Sequence, residues 1–307
     1  MFNMIYRRDI QMDKSMYTIL LTACIDPGGM VLTKLTDPVV RKSQYVEALE
    51  FYLRNTDYPI VFTENSGNDV SDLFPDEIRS GRLEVLTFEG NKEKTKGKGY
   101  GECEIIEYAL DHSRIIRERR EREDGDERLK IIKITGRLIV ENVGALTKSH
   151  VPFQSHEDLI GRLDSRDFIA LSEVFIASCP LLRKLVESKW MLNDSKGFWF
   201  ERLLARVTIS NQFRYFPFVV KPAIRGSSGS LGKTYVIRKQ TLRDRLEYKN
   251  LAYYNLSLYY QKLAPGITSS FHRGIYRFMS LIYMAVFRML SYRKGQSSIG
   301  ANDCIKE

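Results

Sequence analysis

The chain has 307 residues, of which 43% are apolar, so it is long enough for one large domain or two modest ones and too apolar for wholesale disorder. Its four cysteines form no CxxC pair and its four histidines form no HExxH motif, which argues against disulfide frameworks and common zinc sites and suits a reducing compartment. The net charge is +9, and the positive charge is concentrated in residues 202–294, which contain 17 Lys and Arg residues and only two acidic residues. An anionic partner such as a membrane surface or a nucleic acid is therefore expected.

The first 16 residues mix charged and apolar side chains and contain no uninterrupted apolar stretch. They are interpreted as an N-terminal arm and not as a secretory signal, and the chain is expected to stay in the cytoplasm. An apolar segment then predicts a buried strand over Tyr17–Ile25, followed by Asp26-Pro-Gly-Gly.

Predicted strands and helices alternate through the next part of the chain. Asp37-Pro38 begins a helical pattern that runs to Asn55. Further buried strands are predicted over residues 59–63, 83–88 and 129–135. This alternation predicts a mostly parallel sheet that is covered by helices on both faces.

Residues 96–102, Lys-Gly-Lys-Gly-Tyr-Gly-Glu, form the most distinctive segment of the sequence. Glycines at alternate positions let a backbone approach a ligand closely, and Lys96 and Lys98 add positive charge. A helix is predicted from Cys103 to about Ile116, and the N-terminus of a helix favours anions. The segment is therefore interpreted as a phosphate-binding loop, with a solvated Gly/Lys turn as the alternative.

Polar groups follow the predicted ends of the strands. In parallel sheets, ligands bind beyond the carboxyl ends of the strands. Asp26, Glu64, the 96–102 segment and Thr135-Gly136-Arg137 all follow such ends. We therefore expect these groups to lie along one edge of the sheet.

Past residue 150 the pattern changes. A strand or strand pair is predicted over 167–178, a helix over 197–207 and a strand over 213–220. The segment 225–234 lacks the first glycine of a P-loop, because Ser227 stands at that position. It is interpreted as a flexible loop, or alternatively as a lid that brings Lys233 to a phosphate.

Residues 241–294 are interpreted as a basic membrane-association region, and residues 295–307 as a flexible tail. Over 271–292 a helical projection separates basic and small polar residues from a wide apolar face. The segment is too short in its charge-free part to span a bilayer, which needs about 20 residues, so it indicates an interfacial helix. The upstream tyrosines at 253, 254, 259 and 260 favour this interpretation, while packing on the protein's own core is the alternative.

The order of these parts resembles the GT-A fold of family 2-like glycosyltransferases that build bacterial capsular polysaccharide and lipopolysaccharide. The similarity covers about residues 17–220 and rests on element order, on Asn91 with Gly-Lys-Gly-Tyr-Gly-Glu, on Glu-Asn-Ser-Gly and on Lys-Ile-Thr-Gly-Arg. It implies an α/β catalytic domain over residues 17–240, with a GT-A-like, mostly parallel sheet sandwiched by helices, and a helical basic C-terminal extension. The donor site that it implies consists of Asp26, Glu64, Asn65, Lys96, Lys98, Gly99, Tyr100, Glu102, Thr135, Gly136 and Arg137.

The chain departs from the family where an Asp-x-Asp motif binds the metal and the diphosphate, because Thr-Gly-Arg stands there. A divalent ion normally offsets the diphosphate charge, and an arginine can do part of this through bidentate hydrogen bonds. The hypothesis is a metal-independent transferase in which Arg137, Lys96 and Lys98 stabilise the leaving group. No cofactor is predicted, and metal dependence stays open. Alternatively, Arg137 pairs with Glu141 or Glu102.

Inverting glycosyl transfer needs a carboxylate that deprotonates the acceptor hydroxyl. Glu201 is the first candidate, because GT-A enzymes often use an acid on a helix after the metal-motif strand and Trp199 suits a sugar face. Glu173 is the second. Either is alternatively an ordinary paired carboxylate, and a retaining outcome stays open.

The resulting prediction is a glycosyltransferase that moves a sugar from a nucleotide-sugar donor to a lipid-linked glycan acceptor at the inner face of the plasma membrane. Nucleic acid is not an expected partner. A non-enzymatic nucleic-acid-binding protein remains an alternative, because the chain is basic and rich in aromatic residues. Another nucleotide-sugar or phosphosugar enzyme on the same scaffold is a further alternative, since a fold does not fix the chemistry.

Overall fold

A computed structural model describes most of the chain. The described residues are 16–30, 32–122, 128–148, 157–227, 234–266, 274–279, 281, 282, 284 and 285. Several predictions lie outside these ranges, namely those for residues 1–15, for Lys233, for much of 271–292 and for the tail 295–307.

The described strands and helices alternate over the first half of the chain. The strands are β1 (Tyr17–Ala23), β2 (Ile60–Glu64), β3 (Leu83–Thr87), β4 (Lys130–Thr135), β5 (Ile139–Val140), β6 (Leu159–Gly161), β7 (Leu163–Asp164), β8 (Ile169–Ala170), β9 (Val174–Ser178), β10 (Tyr215–Pro217), β11 (Ile224–Ser227) and β12 (Thr234–Tyr235). The helices are α1 (Pro38–Asn55), α2 (Pro75–Arg79), α3 (Lys98–His112), α4 (Arg114–Arg122), α5 (Val143–Lys148), α6 (Cys179–Glu187), α7 (Phe200–Ser210) and α8 (Leu242–Leu258).

A central sheet has the strand order β10-β6-β9-β4-β1-β2-β3. Its neighbouring strands run parallel except at β9, which is antiparallel to both β4 and β6. β1, β2 and β4 are almost entirely buried, as their apolar sequences predict. The predicted α/β class with a mostly parallel sheet is confirmed.

Helices cover both faces of this sheet. On one face, the ring of Tyr45 in α1 packs edge-on against Phe62 of β2, with centroids 6.2 Å apart. On the other face, Lys133 of β4 reaches Glu102 of α3 and lies beneath Phe200 of α7. The carboxyl ends of β1, β2 and β4 therefore emerge at one edge between these two layers.

The helix α1 has a well-defined beginning. Pro38 occupies its first position, and the side chain of Asp37 accepts hydrogen bonds from the backbone N–H groups of Val39 and Val40. The helix ends at Asn55, as predicted. Its buried face includes Arg41 and Tyr45, whereas the apolar Val46 and Leu53 are half-buried.

The C-terminal region packs on the outer strand β10. A capping box formed by Thr241 and Asp244 begins α8, and a π-helical turn over Tyr259–Leu263 follows it. The hydroxyl of Tyr260 donates to the carbonyl of Tyr215 at 2.9 Å, and Tyr259 is fully buried. These two tyrosines are therefore core residues, and they do not support the interpretation of residues 271–292 as a membrane-binding helix.

Among the described residues, no helix is long and apolar enough to cross a bilayer.

Candidate active site: a cationic cleft at the sheet edge

A cleft that is partly open to solvent lies where β1, β2 and β4 end. Its walls come from these strand ends, from α1 and from the first turns of α3. The lining residues are Thr22, Ala23, Cys24, Pro27, Met30, Thr33, Arg41, Tyr45, Asn65, Asn91, Lys98, Gly101, Glu102, Ile105, Thr135 and Arg137.

Arg41 places a buried guanidinium at one wall of the cleft. Its side chain is only 4% exposed and donates to backbone carbonyls, including Cys24 at 2.8 Å and Leu35 at 3.0 Å. Within the described part of the chain it forms no ion pair with a carboxylate. Arg41 is not among the predicted site residues, although its spacing to Tyr45 and Ala48 puts it on the buried face of α1.

Arg137 supplies a second positive charge from the turn after β4. Its Nε donates to the carbonyl oxygen of Ser227 at 2.9 Å. The two carboxylates proposed as its alternative partners are engaged elsewhere, because Glu141 pairs with Arg225 and Glu102 pairs with Lys133. Arg137 is therefore not an ion-pair partner of either acid.

Lys98 supplies a third charge from the beginning of α3. Its Nζ donates to the carbonyl oxygen of Leu32 at 2.7 Å. Burial lowers the pKa of Lys98; the charges of Arg137 and Arg41 act in the same direction, while Asp194 and Glu201 oppose them. The three cations are therefore close enough for their fields to act on one another.

Residues 98–102 of the predicted phosphate-binding loop form the beginning of α3, so the predicted helix start at Cys103 is wrong and the helix starts at Lys98. The N-terminus of this helix already holds an anion from the protein itself, because Asp194 Oδ2 accepts a hydrogen bond from the N–H of Gly99 at 3.3 Å. Gly97 has a φ of +93°, and a Cβ at this position would clash with the Asp194 carboxylate. The glycines thus admit a close approach, but by the protein's own side chain.

The carboxylate of Asp194 lies in an environment that is unfavourable for a negative charge. Its side chain is buried, and burial raises the pKa of its carboxyl group. Among the described residues, nothing donates a hydrogen bond to Oδ1.

Asn65 and Asn91 form the floor of the cleft near Gly101. Asn65 Nδ2 donates to Asn91 Oδ1 at 2.9 Å, and Asn65 is almost fully buried. A Cβ at Gly101 would lie 2.7 Å from Asn91 Oδ1, so glycine is required where α3 approaches this pair.

Glu64 and Asp26 serve the loops beside the cleft. The buried Glu64 carboxylate accepts hydrogen bonds from the backbone N–H groups of Ile25 at 2.8 Å and of Ser66 and Asn68 at 2.9 Å. Asp26 is exposed and accepts from the N–H of Gly28 at 2.8 Å. Both acids therefore shape the loops after β1 and β2, and neither lines the cleft.

Glu201 lies near the cleft at the beginning of α7. Its Oε1 accepts a hydrogen bond from the hydroxyl of Ser172 at 2.5 Å. Burial raises the pKa of Glu201, and the charge of Glu173 adds to this rise, against the opposing effects of Ser172 and Lys133. Glu173 itself accepts from the hydroxyl of Tyr235 at 3.1 Å.

The structure brings together some of the predicted site residues and not others. Those that line the cleft are Asn65, Lys98, Glu102, Thr135 and Arg137. Those outside its lining are Asp26, Glu64, Lys96, Gly99, Tyr100, Gly136, Glu173 and Glu201. Lys96 lies over the ring of Tyr100 at 4.4 Å, and Gly136 donates to the carbonyl of Thr22 at 2.9 Å, so these residues support the cleft walls.

Within the described part of the chain, no three His, Cys, Asp or Glu side chains are grouped closely enough to hold a metal ion.

Comparison with known proteins gives no family assignment. No family model matches the sequence, and no curated protein matches it. Among solved structures, the chain is similar to a cytidylyltransferase from Leptospira borgpetersenii, with 13% identity over 90% of this chain and 95% of the other and a TM-score of 0.36. It is also similar to the mannosyltransferase Ktr4p from S. cerevisiae, with 9% identity over 74% of this chain and 73% of the other and a TM-score of 0.37. At these values neither similarity assigns a family or an activity to the chain.

Proposed function

We propose that the chain is a glycosyltransferase that binds the diphosphate of a nucleotide-sugar donor in the cationic cleft. The observation that carries this proposal is the presence of Arg41 and Arg137, neither ion-paired to a carboxylate within the described residues, beside Lys98 at one edge of a parallel sheet. Arg137 uses its Nε for Ser227, so its terminal nitrogens suit bidentate hydrogen bonds to phosphate oxygens. Arg41 uses most of its N–H groups for the carbonyls of Cys24, Ile25 and Leu35 and the hydroxyl of Tyr45, so it contributes mainly its charge. The carboxyl edge of such a sheet is where nucleotides bind in α/β folds.

The same cations suit the chemistry of glycosyl transfer. When the bond between the sugar and the diphosphate breaks, negative charge builds up on the departing nucleotide. Positive groups that are already positioned stabilise this charge without having to reorganise. Arg41 is held by backbone carbonyls and Arg137 by Ser227, so both are fixed before the ligand arrives.

Glu201 is the proposed base. A carboxylate with a raised pKa accepts a proton more readily, which suits removal of the acceptor hydroxyl's proton. Ser172 orients the carboxylate through Oε1. Glu173 remains the second candidate, and its hydrogen bond from Tyr235 gives it a partner of its own.

The acceptor is proposed to be a lipid-linked glycan of bacterial surface polysaccharide synthesis, met at the inner face of the plasma membrane. The resemblance to GT-A enzymes motivates this choice. The exposed side chains of Phe278 (62%) and Leu281 (51%), within a basic part of the chain, support membrane association over residues 271–292.

A thermal-shift screen tests the proposal. Uridine, guanosine and cytidine diphosphates, the matching nucleotide sugars and short oligonucleotides are each added with and without EDTA. We expect at least one nucleoside diphosphate and its sugar conjugate to raise the melting temperature in EDTA. Stabilisation by oligonucleotides alone would favour the nucleic-acid alternative and contradict the proposal. Stabilisation that vanishes in EDTA and returns with Mn²⁺ would contradict the metal-independent form of it.

A further inference from the structure

Glu102 stands out among the described residues that line the cleft, because it carries the one carboxylate among three cations. A carboxylate repels a diphosphate. If a nucleotide sugar binds here, Glu102 must therefore face a part of the ligand that donates hydrogen bonds and carries no negative charge.

The carboxylate is held on one side only. The hydroxyl of Thr22 donates to Glu102 Oε1 at 2.7 Å, and the ammonium of Lys133 forms an ion pair with the same oxygen. Lys133 is fully buried and also donates to the carbonyl of Ser172 at 2.8 Å and to Thr135 Oγ1 at 3.3 Å. Its hydrogen-bonding capacity is thus used, and the carboxylate is fixed against the sheet.

The second oxygen, Oε2, receives no hydrogen bond from any described residue. The side chain of Glu102 is 21% exposed and lines the cleft. An ionised carboxylate oxygen accepts hydrogen bonds and donates none. Oε2 is therefore an acceptor that the protein leaves for a ligand.

We infer that Glu102 accepts a hydrogen bond from a hydroxyl group of a sugar ring attached to the diphosphate. This inference rests on the proposed function. Lys98 lies one turn before Glu102 on α3, and Thr135 stands two residues before Arg137. Oε2 of Glu102 is thus next to the cations proposed to bind the diphosphate. A ring bonded directly to the diphosphate is the nearest source of hydroxyl groups there.

Two rings meet this description, namely the ribose of the nucleotide and the sugar to be transferred. The chemistry is the same for both. They are distinguished experimentally by removing ribose hydroxyls in one arm and hydroxyls of the transferred sugar in the other.

The test is a calorimetric cycle on the full chain with wild type and Glu102→Gln. One arm compares the nucleoside diphosphate that binds best with its 2′-deoxy and 3′-deoxy analogues. The other compares its nucleotide sugar with analogues that lack one hydroxyl group of the transferred sugar, so the phosphate charge is constant within each arm. A hydrogen bond to a charged group supports about a 10- to 100-fold preference for the ligand that carries the hydroxyl. We expect the wild type to show this preference in one arm, and Glu102→Gln to reduce it to a few-fold in the same arm.

A matched control is available on the same helix. Glu107 also pairs with a lysine, Lys189, but lies outside the cleft. Glu107→Gln is expected to keep the wild-type preferences in both arms. Glu102→Gln could fail to fold because Lys133 loses its partner. In that case the double variant Glu102→Gln, Lys133→Met, which removes both charges, takes the place of the single variant in the cycle.

Each outcome is decisive. Loss of preference in the ribose arm or in the sugar arm supports the inference and names the ring. Equal preferences in wild type and variant overturn the inference while leaving the proposed function intact. If no nucleoside diphosphate binds the wild type at all, the proposed function fails, and the inference falls with it.

Discussion

At the scale of single residues, the charge of the cleft comes from side chains held by uncharged partners. Arg41 and Arg137 donate to backbone carbonyls, which orient a guanidinium without neutralising it. A cation of this kind keeps its net positive charge, which attracts an incoming phosphate.

Replacing Arg137 should weaken donor binding directly. Loss of a charge-assisted contact to the diphosphate is expected to raise the Kd of Arg137→Gln for a nucleoside diphosphate by about 10- to 100-fold, with a smaller rise for Arg137→Lys. Isothermal titration calorimetry measures both. Arg54→Gln, an exposed arginine on α1, serves as the control and should bind as the wild type does. Equal Kd values for Arg137→Gln and Arg54→Gln would show that Arg137 does not contact the bound nucleotide.

Replacing Glu201 should remove the base. Glu201→Gln is expected to lower kcat by about 10²- to 10⁴-fold with little change in donor affinity. In the wild type, kcat should fall as the pH drops through the raised pKa of Glu201, because the protonated acid cannot accept the proton.

The variant Glu173→Gln distinguishes the roles of Glu173 and Glu201. Because the charge of Glu173 contributes to the raised pKa of Glu201, this variant should move the midpoint of the kcat profile to lower pH while keeping the activity. If Glu173→Gln abolishes kcat and Glu201→Gln retains it, Glu173 is the base and Glu201 is not.

At the scale of elements, the beginning of α3 depends on a side chain from a distant part of the chain. Asp194 accepts from the N–H of Gly99, as an N-cap would, although it lies 95 residues away. Asp194→Ala is expected to lower the free energy of unfolding by about 1–2 kcal/mol, as for other lost caps. Asp167→Ala, an exposed acid, is the control, and denaturant titration is the measurement. Equal stability of the two variants would show that Asp194 does not hold α3.

The pH dependence of the Asp194→Asn variant follows from the raised pKa. A carboxyl whose pKa is higher in the folded chain is favoured by folding when protonated, so its ionisation costs stability. The variant and the wild type should therefore be closest in stability below the usual Asp range. The difference should grow in favour of Asp194→Asn as the pH rises through the raised pKa. A difference that grows in the opposite direction would contradict the assignment.

The elements differ in how far their sequence could predict them. Buried parallel strands such as β1 and β4 are nearly continuous apolar runs, so their positions could be predicted. The beginning of α3 could not, because its glycines are typical of a loop and the Asp194 that approaches them is remote in sequence. The helix α6 was missed, although Ser178 caps it through the N–H of Leu181 and a proline stands in its first turn.

The residues of the candidate site also differ in how far the sequence could predict them. Thr135 ends β4, and Arg137 and Asn65 come just after the ends of β4 and β2, so the rule for parallel sheets places all three at the cleft. Arg41 comes from inside a helix, and its role depends on which polar residue of α1 turns inward. Glu64 ends β2 and Asp26 comes shortly after β1, but their hydrogen bonds to loop backbone could be seen only in the folded chain.

At the scale of the whole molecule, the proposed membrane contact lies in the basic C-terminal region. Phe278 and Leu281 are exposed there. The double variant Phe278→Ser, Leu281→Ser is expected to sediment less with vesicles containing anionic phosphatidylglycerol, because burial of apolar side chains at the interface is lost. Leu73→Ser, another exposed leucine, is the control. Equal sedimentation of the two variants, or none by the wild type, would contradict the membrane assignment.

The most direct test of the central claim asks whether a nucleotide occupies the cleft. Cys24 lines the cleft and is partly exposed, whereas Cys103 and Cys179 are buried, so alkylation in a Cys304→Ser background reports on Cys24. Mass spectrometry follows the rate with and without a saturating nucleoside diphosphate. We expect the nucleotide to slow alkylation of Cys24 and Arg137→Gln to require more nucleotide for the same protection. A nucleotide that binds the chain by calorimetry and leaves the Cys24 alkylation rate unchanged would place the donor site elsewhere.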